Sequence, residues 1–571
     1  MELLIKNTIV YDPSNGVNGE RMDLSVRDGK IVESVDLNNA KVLDASGMIA
    51  MPGGVDIHSH IAGPKVNKGR ELRPEDHLRR IERKTRLKRS GVGYSVPTTF
   101  TTGYWYAGMG YTTVMEPATA PLETRHTHEE LNDTPILDKA CFPLLGDNWF
   151  IMEYLKNGEI EKCAAYVAWL LKAVKGYAVK LVSPGSVEAW GWGGGLREID
   201  EVVPNFDITP REIIRGLCKV NDLLGLPSPI HIHCNNLGSP GNYRVTLETM
   251  KCVKDLAKGG RPSVHIVHVQ FNAYAGSGWS DLSSGATKLA RYVNRHSHVT
   301  TDLGQVIFGD TTTMTADGPW QYILHNLSGN KWVNHDVEAE TGGGIVPYQY
   351  RRRNYVNAMQ WTIGLEFALQ VKDPWKICLT TDHPNGGPFI EYPRIMAWLL
   401  SREARDAAMK RINKTARRRS ILGSLDREYS LSELAVITRA APARILGLRH
   451  KGHLGVGADA DIALYRIDPS ETDLSKDYRK VRKALRRAAH TIKEGEIVVK
   501  DGEVVRVPEG KTFWAEAEAP EEALKDVWQD LRERFEKYYT VRLENYPIGV
   551  EYLRRPAPME IKMEGVNREP S

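Results

Sequence analysis

Seventeen histidines occur in this chain, and eight of them form four His-x-His pairs: His58/His60, His126/His128, His231/His233 and His296/His298. On a β-strand, residues two apart point the same way, so a pair at a strand's end can turn two imidazoles onto one cation. Context selects among the four. His58 and His60 follow IAMPGGVDI, a β run with a Pro-Gly-Gly break, which puts the pair at the C-terminal end of a strand. His126/His128 lies in TRHTHEEL, a polar segment that reads as a helix start, and His296/His298 precedes VTTDLGQVIFG, at the entry of a strand rather than its exit. Both pairs are expected to be structural or substrate-facing. In PIHIHCNN the two imidazoles share a face, with His233 nearer the strand's C-terminal end and His231 deeper. His233 is the better ligand and His231 the alternative.

Three further residues extend the set. In SVHIVHVQF, His265 and His268 are three apart and therefore oppose each other on a strand; His268 is nearer the productive end, and His265 is expected to face outward with its polar atoms satisfied. KICLTTDHPNGG carries a β run to Asp382, which can both ligate a metal and accept a proton, so Asp382 is the candidate general base, while His383 faces away from it. Lys180 sits in YAVKLVSPG, an otherwise apolar run where a charged amine loses hydration at a cost of several kcal/mol unless compensated. A lone buried lysine usually means a salt bridge. The sharper alternative is a carbamate, formed when the neutral amine adds carbon dioxide, whose two oxygens bridge two cations and remove the positive charge.

These residues need a scaffold that ends many strands at one place. From Gly53 to about Gly447, short apolar runs alternate with helical stretches, the pattern of parallel strands joined by crossover helices. A helix opening at Leu431, with Ser430 and Glu433 in capping-box spacing, closes this region at Gly447. Residues 1–52 and 448–513 instead read as short strands with Asp28-Gly29 and Asp501-Gly502 as hairpin turns, and the two segments are expected to pair into one small β-sandwich. Residues 514–571 read as a helical extension, with Leu524, Val527, Trp528, Leu531, Phe535 and Tyr538 at helical spacing, packed on its own barrel or docked to a partner.

Composition excludes several classes. With 41% hydrophobic and 26% charged residues, the 571-residue chain is that of an ordinary globular protein, and a net charge of +4 gives no global field for nucleic acid. The basic run RKVRKALRR at 479–487 lacks stacking aromatics and reads as a solvated helix face. The most apolar stretch, 164–182, is broken by Lys172, Lys175 and Lys180, so no membrane span is expected, and MELLIKNTIVYD carries too many charges for a secretory signal. A cytoplasmic location follows as an expectation. Six scattered cysteines without a C-x-x-C fit reduced thiols and offer no iron–sulfur spacing.

The order His-x-His, Lys, His, His, Asp, each residue in a separate β run, resembles the binuclear amidohydrolases such as hydantoinase and dihydroorotase, with VDIHSH, IHCNN, IVHVQ and TTDHP similar to signatures at barrel strands one, five, six and eight. GHLGVGADADIALY is similar to their return into the flanking sandwich. IAGPKVNKGRELRPEDH, TTFTTGYWYAGMGYTTVMEPATAP and LETRHTHEEL resemble, more narrowly, the A subunits of formylmethanofuran dehydrogenases. The resemblance implies an α/β fold, a TIM (β/α)8 barrel over residues 53–447 with a small β-sandwich built from both flanks. It implies two divalent metal ions, zinc by preference, held by His58, His60, Lys180 as N6-carboxylysine, His233, His268 and Asp382, with His231 in reserve.

The activity so implied is reversible hydrolysis of N-formylmethanofuran to formate and methanofuran, in the carbon dioxide-fixing first step of methanogenesis or its reverse. The implied partners are iron–sulfur subunits and a tungsten- or molybdenum-pterin formate dehydrogenase-like subunit. Two alternatives accompany it. One is the A subunit of the bacterial formyltransferase/hydrolase complex; the other is a non-catalytic scaffold, whose mark would be a broken ligand set.

Overall fold

In the computed structural model, which describes residues 2–257, 260–337 and 341–562, eight short parallel strands set the frame. They are β1 (Gly54–Asp56), β2 (Tyr111–Thr119), β3 (Asp138–Pro143), β4 (Lys180–Val182), β5 (Ile230–His233), β6 (Val264–Ile266), β7 (Val299–Asp302) and β8 (Ile377–Cys378). Every residue in them is buried, as parallel strands are when helices cover their outer face. Two hydrogen-bonded arcs, β1–β2–β3 and β4–β5–β6–β7–β8, make up the ring. They meet at single parallel bridges, Leu144 with Lys180 and Ser59 with His383. At these seams the strands are joined by isolated bonds, such as His60 N–H to the His383 carbonyl at 2.7 Å, rather than by a continuous ladder. This is the expected (β/α)8 order.

Register decides what the interior contains. Lys180, His231, His265 and Thr300 are direct neighbours across β4 to β7, so they form one row inside the ring. His265 therefore faces inward, against the expectation that it faces outward. The expectation assumed that β6 continues to His268, but the strand ends at Ile266 and the chain turns, with His268 at φ +35°, so alternation no longer separates the two histidines.

The flanks join into one branched nine-stranded sheet. Ile49–Pro52 pairs in parallel with Glu2–Asp12 and antiparallel with Ile462–Tyr465, which brings the two flanks of the barrel region side by side. Leu3, Ile5 and Val26 from one flank share an apolar cluster with Ile462, Leu464 and Ile492 from the other. Both Asp-Gly turns have positive φ at both residues (Asp28 49°, Gly29 79°; Asp501 51°, Gly502 77°), the geometry that two-residue hairpins require. Between sheet and barrel the chain creases at Gly53-Gly54, where a Cβ on Gly54 would lie 2.5 Å from the Tyr111 ring.

Two additions complete the molecule. Between β7 and the helix Tyr355–Gln370 lies an antiparallel sheet of Gly309–Thr315, Val333–Val337 and Thr341–Tyr350, with the helix Gly318–Ser328 packed against it. At the C-terminus, Glu521–Tyr538 lays Val527, Leu531 and Phe535 on the helix Ile160–Val174, leaving Trp528 partly exposed beside Trp169. The extension also carries strand: Thr512–Ala517 pairs with β3, and Pro556–Ile561 pairs with it in parallel. The helix from Leu431 has the expected capping box but is interrupted by a π turn at Val436–Ala440 before it ends at Ile445. No helix among the described residues is long and apolar enough to cross a membrane.

Candidate active site

At the C-terminal end of the ring, the last residue of β5 and the loops that leave β1, β6 and β8 bring four histidines and a carboxylate together. His58 Nε2 lies 3.0 Å and His60 Nε2 3.2 Å from Asp382 Oδ1, while His268 Nε2 lies 4.0 Å from the other carboxylate oxygen. His233 stacks edge-on against His268 with ring centroids 4.7 Å apart. All five side chains are buried. Ligand atoms of His58, His268 and Asp382 lie within 4.8 Å of one another, a set able to hold a divalent cation. Two of these residues are reached by unusual backbone: His268 and Asp382 have φ of +35° and +50°, which costs roughly 1–3 kcal/mol per residue. That conformation turns the chain sharply at the strand ends and aims both side chains over the barrel.

Lys180 starts one layer lower, in the row with His231, and its amine acts electrostatically on Asp302 and Asp382 above it. Nζ is buried and makes no hydrogen bond among the described residues. Burial pushes the amine down to about 7, so much of it is uncharged at neutral pH. The salt-bridge reading of Lys180 thus finds no ion-pair partner within contact distance among the described residues.

His231 is drawn away from the cluster. Its Nε2 shares a 3.0 Å hydrogen bond with Ser228 Oγ at the entry of β5, and its ring packs on Phe142 and His265. His383 turns its ring onto Phe389 and accepts the Phe389 N–H at 3.2 Å. The other two pairs are structural: His126 meets Asn67, buried His128 meets the Val174 carbonyl, and His296 and His298 meet the carbonyls of Tyr292 and Met250. Arg70 is committed to Glu130, and Arg73 to Asp310 and the Thr311 carbonyl.

Three carboxylates that sequence reasoning did not single out orient the histidines. Asp302, at the end of β7, meets His58 Nδ1 and His265 Nε2, each at 3.2 Å, and accepts the His268 N–H and the Thr380 hydroxyl. Glu116, in β2, meets His60 Nδ1 at 2.9 Å and accepts the N–H groups of Ile61 and Ala62. Asp317 caps the helix Gly318–Ser328, accepts the Ser183 hydroxyl at 2.6 Å and meets His233 Nε2 at 3.1 Å. Asp302 ends a β run just as Asp382 does, which was a usable signal; Glu116 and Asp317 had none. Such partners fix which ring nitrogen carries a proton. Burial pushes Asp382 up, but His268 and His58 beside it, with hydrogen bonds from His58 and His60, hold it well below the usual carboxylate range.

Above Asp382 opens a cleft of about 280 Å³ walled by Phe271, Trp279, Trp320, Tyr348 and Tyr350. Asn385 sits at its floor and donates to Asp382 Oδ1 at 3.1 Å. An aromatic wall with a few polar groups at the reacting end suits a mostly apolar substrate presented end-on.

Fold and site together define a class: the chain belongs to the amidohydrolase family, whose sequence model matches residues 41–499. Within it, the chain is 54% identical to protein FwdA of Methanocaldococcus jannaschii over 99% of its own length and 100% of the relative's. It is 35% identical to the A subunit of the formyltransferase/hydrolase complex Fhc of Methylorubrum extorquens, covering 92% and 93% of the two chains. A chain in the crystal structure of that organism's formyltransferase/hydrolase complex FhcABCD with methylofuran superposes with a TM-score of 0.89 at 33% identity, over 99% of this chain and 100% of the other.

Proposed function

We propose that the chain is the amide-hydrolysing A subunit of a formylmethanofuran dehydrogenase, catalysing R–NH–CHO + H2O ⇌ R–NH3⁺ + HCOO⁻, where R–NH3⁺ is methanofuran. The observation that carries the reading is full-length likeness to FwdA in a chain whose His58, His60, His233, His268 and Asp382 converge beneath an aromatic cleft. His58, His60, His233, His268, Asp382 and a carbamate on Lys180 would hold two zinc ions. The orphaned amine of Lys180, whose charge burial disfavours, supports the carbamate: R–NH2 + CO2 → R–NH–COO⁻ + H⁺ satisfies the nitrogen's surroundings with an anion among imidazoles. Such cations act as Lewis acids, lowering the pKa of water and polarising a formyl oxygen.

The chain's own residues supply the rest. Asp382, ionised and free of any lysine or arginine partner within contact distance among the described residues, takes the proton of the attacking water and delivers it to the departing amine nitrogen. Asp302 and Glu116 hold His58 and His60 by their Nδ1 atoms, leaving both Nε2 atoms toward Asp382. The aromatic walls exclude bulk water and present the formamide end-on. In the reverse direction the same groups work in mirror order, with formate arriving from a pterin-containing partner.

The 35% likeness to the Fhc protein keeps a second reading open, release of formate from a different formyl carrier by the same site. Formate release from N-formylmethanofuran by the zinc- and bicarbonate-loaded chain tests the choice. Turnover there, absent with formyl-methylofuran, supports the dehydrogenase reading, and the opposite preference overturns it.

A further inference from the structure

The sheet inserted after β7 walls the cleft and is also fastened to the turn that carries Asp382. Gly309–Thr315 is an edge strand of that sheet, so a peptide unit on its open side needs partners from elsewhere. Asn385 supplies them at Met314. Its Oδ1 accepts the Met314 N–H at 2.6 Å and its Nδ2 donates to the Met314 carbonyl at 3.1 Å, so one side-chain amide completes the edge as a further strand would. The same Nδ2 donates to Asp382 Oδ1 at 3.1 Å. Two more bonds tie sheet to turn: the Tyr350 hydroxyl donates to the Asn385 carbonyl at 3.0 Å, and the Thr311 hydroxyl donates to the Pro384 carbonyl. The turn is closed by the Asn385 N–H on the Asp382 carbonyl at 2.6 Å, and Asn385 is buried within it.

We infer that Asn385 is a positioning residue, which couples the seating of the inserted sheet to the orientation of the Asp382 carboxylate. Asp382 Oδ1 is the oxygen that faces His58 and His60, and a fixed N–H on it sets the rotation of the carboxylate. A base acts only within hydrogen-bond reach of its proton, so a small rotation costs rate rather than affinity. Met314 needs both an acceptor and a donor while Asp382 needs a donor, and a primary amide is the side chain that offers all three. Tyr348 and Tyr350, on the inserted sheet, wall the cleft as well. A formamide that fills the cleft therefore presses on the sheet that holds the base, and contact remote from the reacting bond is converted into alignment of Asp382. Acceleration by a filled cleft rests on the formamide reading, whereas the link between sheet and turn stands without it.

The link is tested by amide hydrogen exchange, read by mass spectrometry, on the full chain and on Thr311→Val/Tyr350→Phe, whose changes lie in the sheet. Exchange in peptides covering 382–388 is expected to quicken by about tenfold or more, with peptides covering 230–235 unchanged. Gln349→Ala, at an exposed neighbour of Tyr350 bonded to Asp310, is expected to alter neither. Unchanged exchange at 382–388 in the double variant, or an equal change in both variants, overturns the link. The effect on rate is tested with N-benzylformamide, which reaches the aromatic walls, and N-methylformamide, which does not. The wild type is expected to turn over the first with a kcat higher by about tenfold or more. Asn385→Ala is expected to bring the two kcat values within about twofold, by slowing N-benzylformamide while its KM and the metal content are kept. A raised KM with kcat kept makes Asn385 a wall of the cleft and overturns the positioning role, as does a kcat ratio that survives in Asn385→Ala. Should Asn385→Ala not fold, Thr311→Val/Tyr350→Phe carries the same comparison, since phenylalanine keeps the wall. A wild type that cleaves neither formamide refutes the formamide reading, and the exchange result then decides the link alone.

Discussion

On the proposed reading, Asp382 and Lys180 are the two side chains whose replacement tests the chemistry most directly. Asp382→Asn keeps the shape and one oxygen but removes the base, so formate release is expected to fall by about 10²–10⁴ while metal content, read by elemental analysis, changes less. Lys180→Ala is expected to abolish activity by removing the carbamate's nitrogen, and a short carboxylate such as propionate should restore part of it by occupying the vacated space. Activity in Lys180→Ala comparable to wild type sinks the carbamate. At strand five, His231 is held by Ser228 while His233 faces His268 and Asp317. His233→Gln is therefore expected to lose about one of two bound metal equivalents and His231→Gln to keep both; the reverse pattern reassigns the ligand.

The insertion that follows β7 links the cleft to the cluster. Asp317 caps the helix Gly318–Ser328 and meets both Ser183, after β4, and His233, on β5. A group that orients a metal-binding histidine typically contributes 10–100-fold in affinity, and an N-cap about 1 kcal/mol. Asp317→Ala is accordingly expected to weaken zinc retention against a chelator by about tenfold or more. Asp317→Asn, which keeps the cap, should recover thermal stability but not zinc retention. Equal retention in both variants would make Asp317 a cap alone.

The join between sheet and barrel depends on a buried ion network. Lys493 pairs Asp138, at the start of β3, at 2.6 Å and Asp461 at 3.0 Å, while Lys451 reaches Asp138, Asp459 at 2.8 Å and Asp461 at 2.7 Å. Burial raises Asp138 and Asp461, but Lys451 and Lys493 outweigh it and hold both low. Groups depressed in the folded state stabilise it above the ordinary carboxylate pKa of about 4, and that stability drains away as pH falls through their folded values. Urea midpoints are therefore expected to hold from neutral pH to about 5 and to drop below about 4. Lys493→Met removes one of the two lysines that Asp138 and Asp461 share and should cost about 3–5 kcal/mol at pH 7, with a flatter acid dependence. A loss under about 1 kcal/mol would show that the network relaxes with water, as exposed pairs do.

Much of this was legible because it is local. Two-residue alternation placed His58 with His60 and ranked His233 above His231, strand ends marked His268 and Asp382, and an apolar run exposed Lys180 as anomalous. The Asp-Gly turns and alternating patterns likewise announced hairpins in the two flanks. What alternation describes stops where a strand stops. His265 was misread because β6 ends at Ile266 and a left-handed turn, not the next strand residue, aims His268. Glu116, Asp302 and Asp317 reach the histidines from β2, β7 and a helix cap, contacts set by register and closure of the ring across 34 to 244 residues of chain. The aromatic cleft arises in the same way, from side chains scattered between Leu237 and Asn385. Short-range order thus follows from steric periodicity along the chain, whereas the company each side chain keeps is decided by packing of distant segments, which only the folded structure specifies.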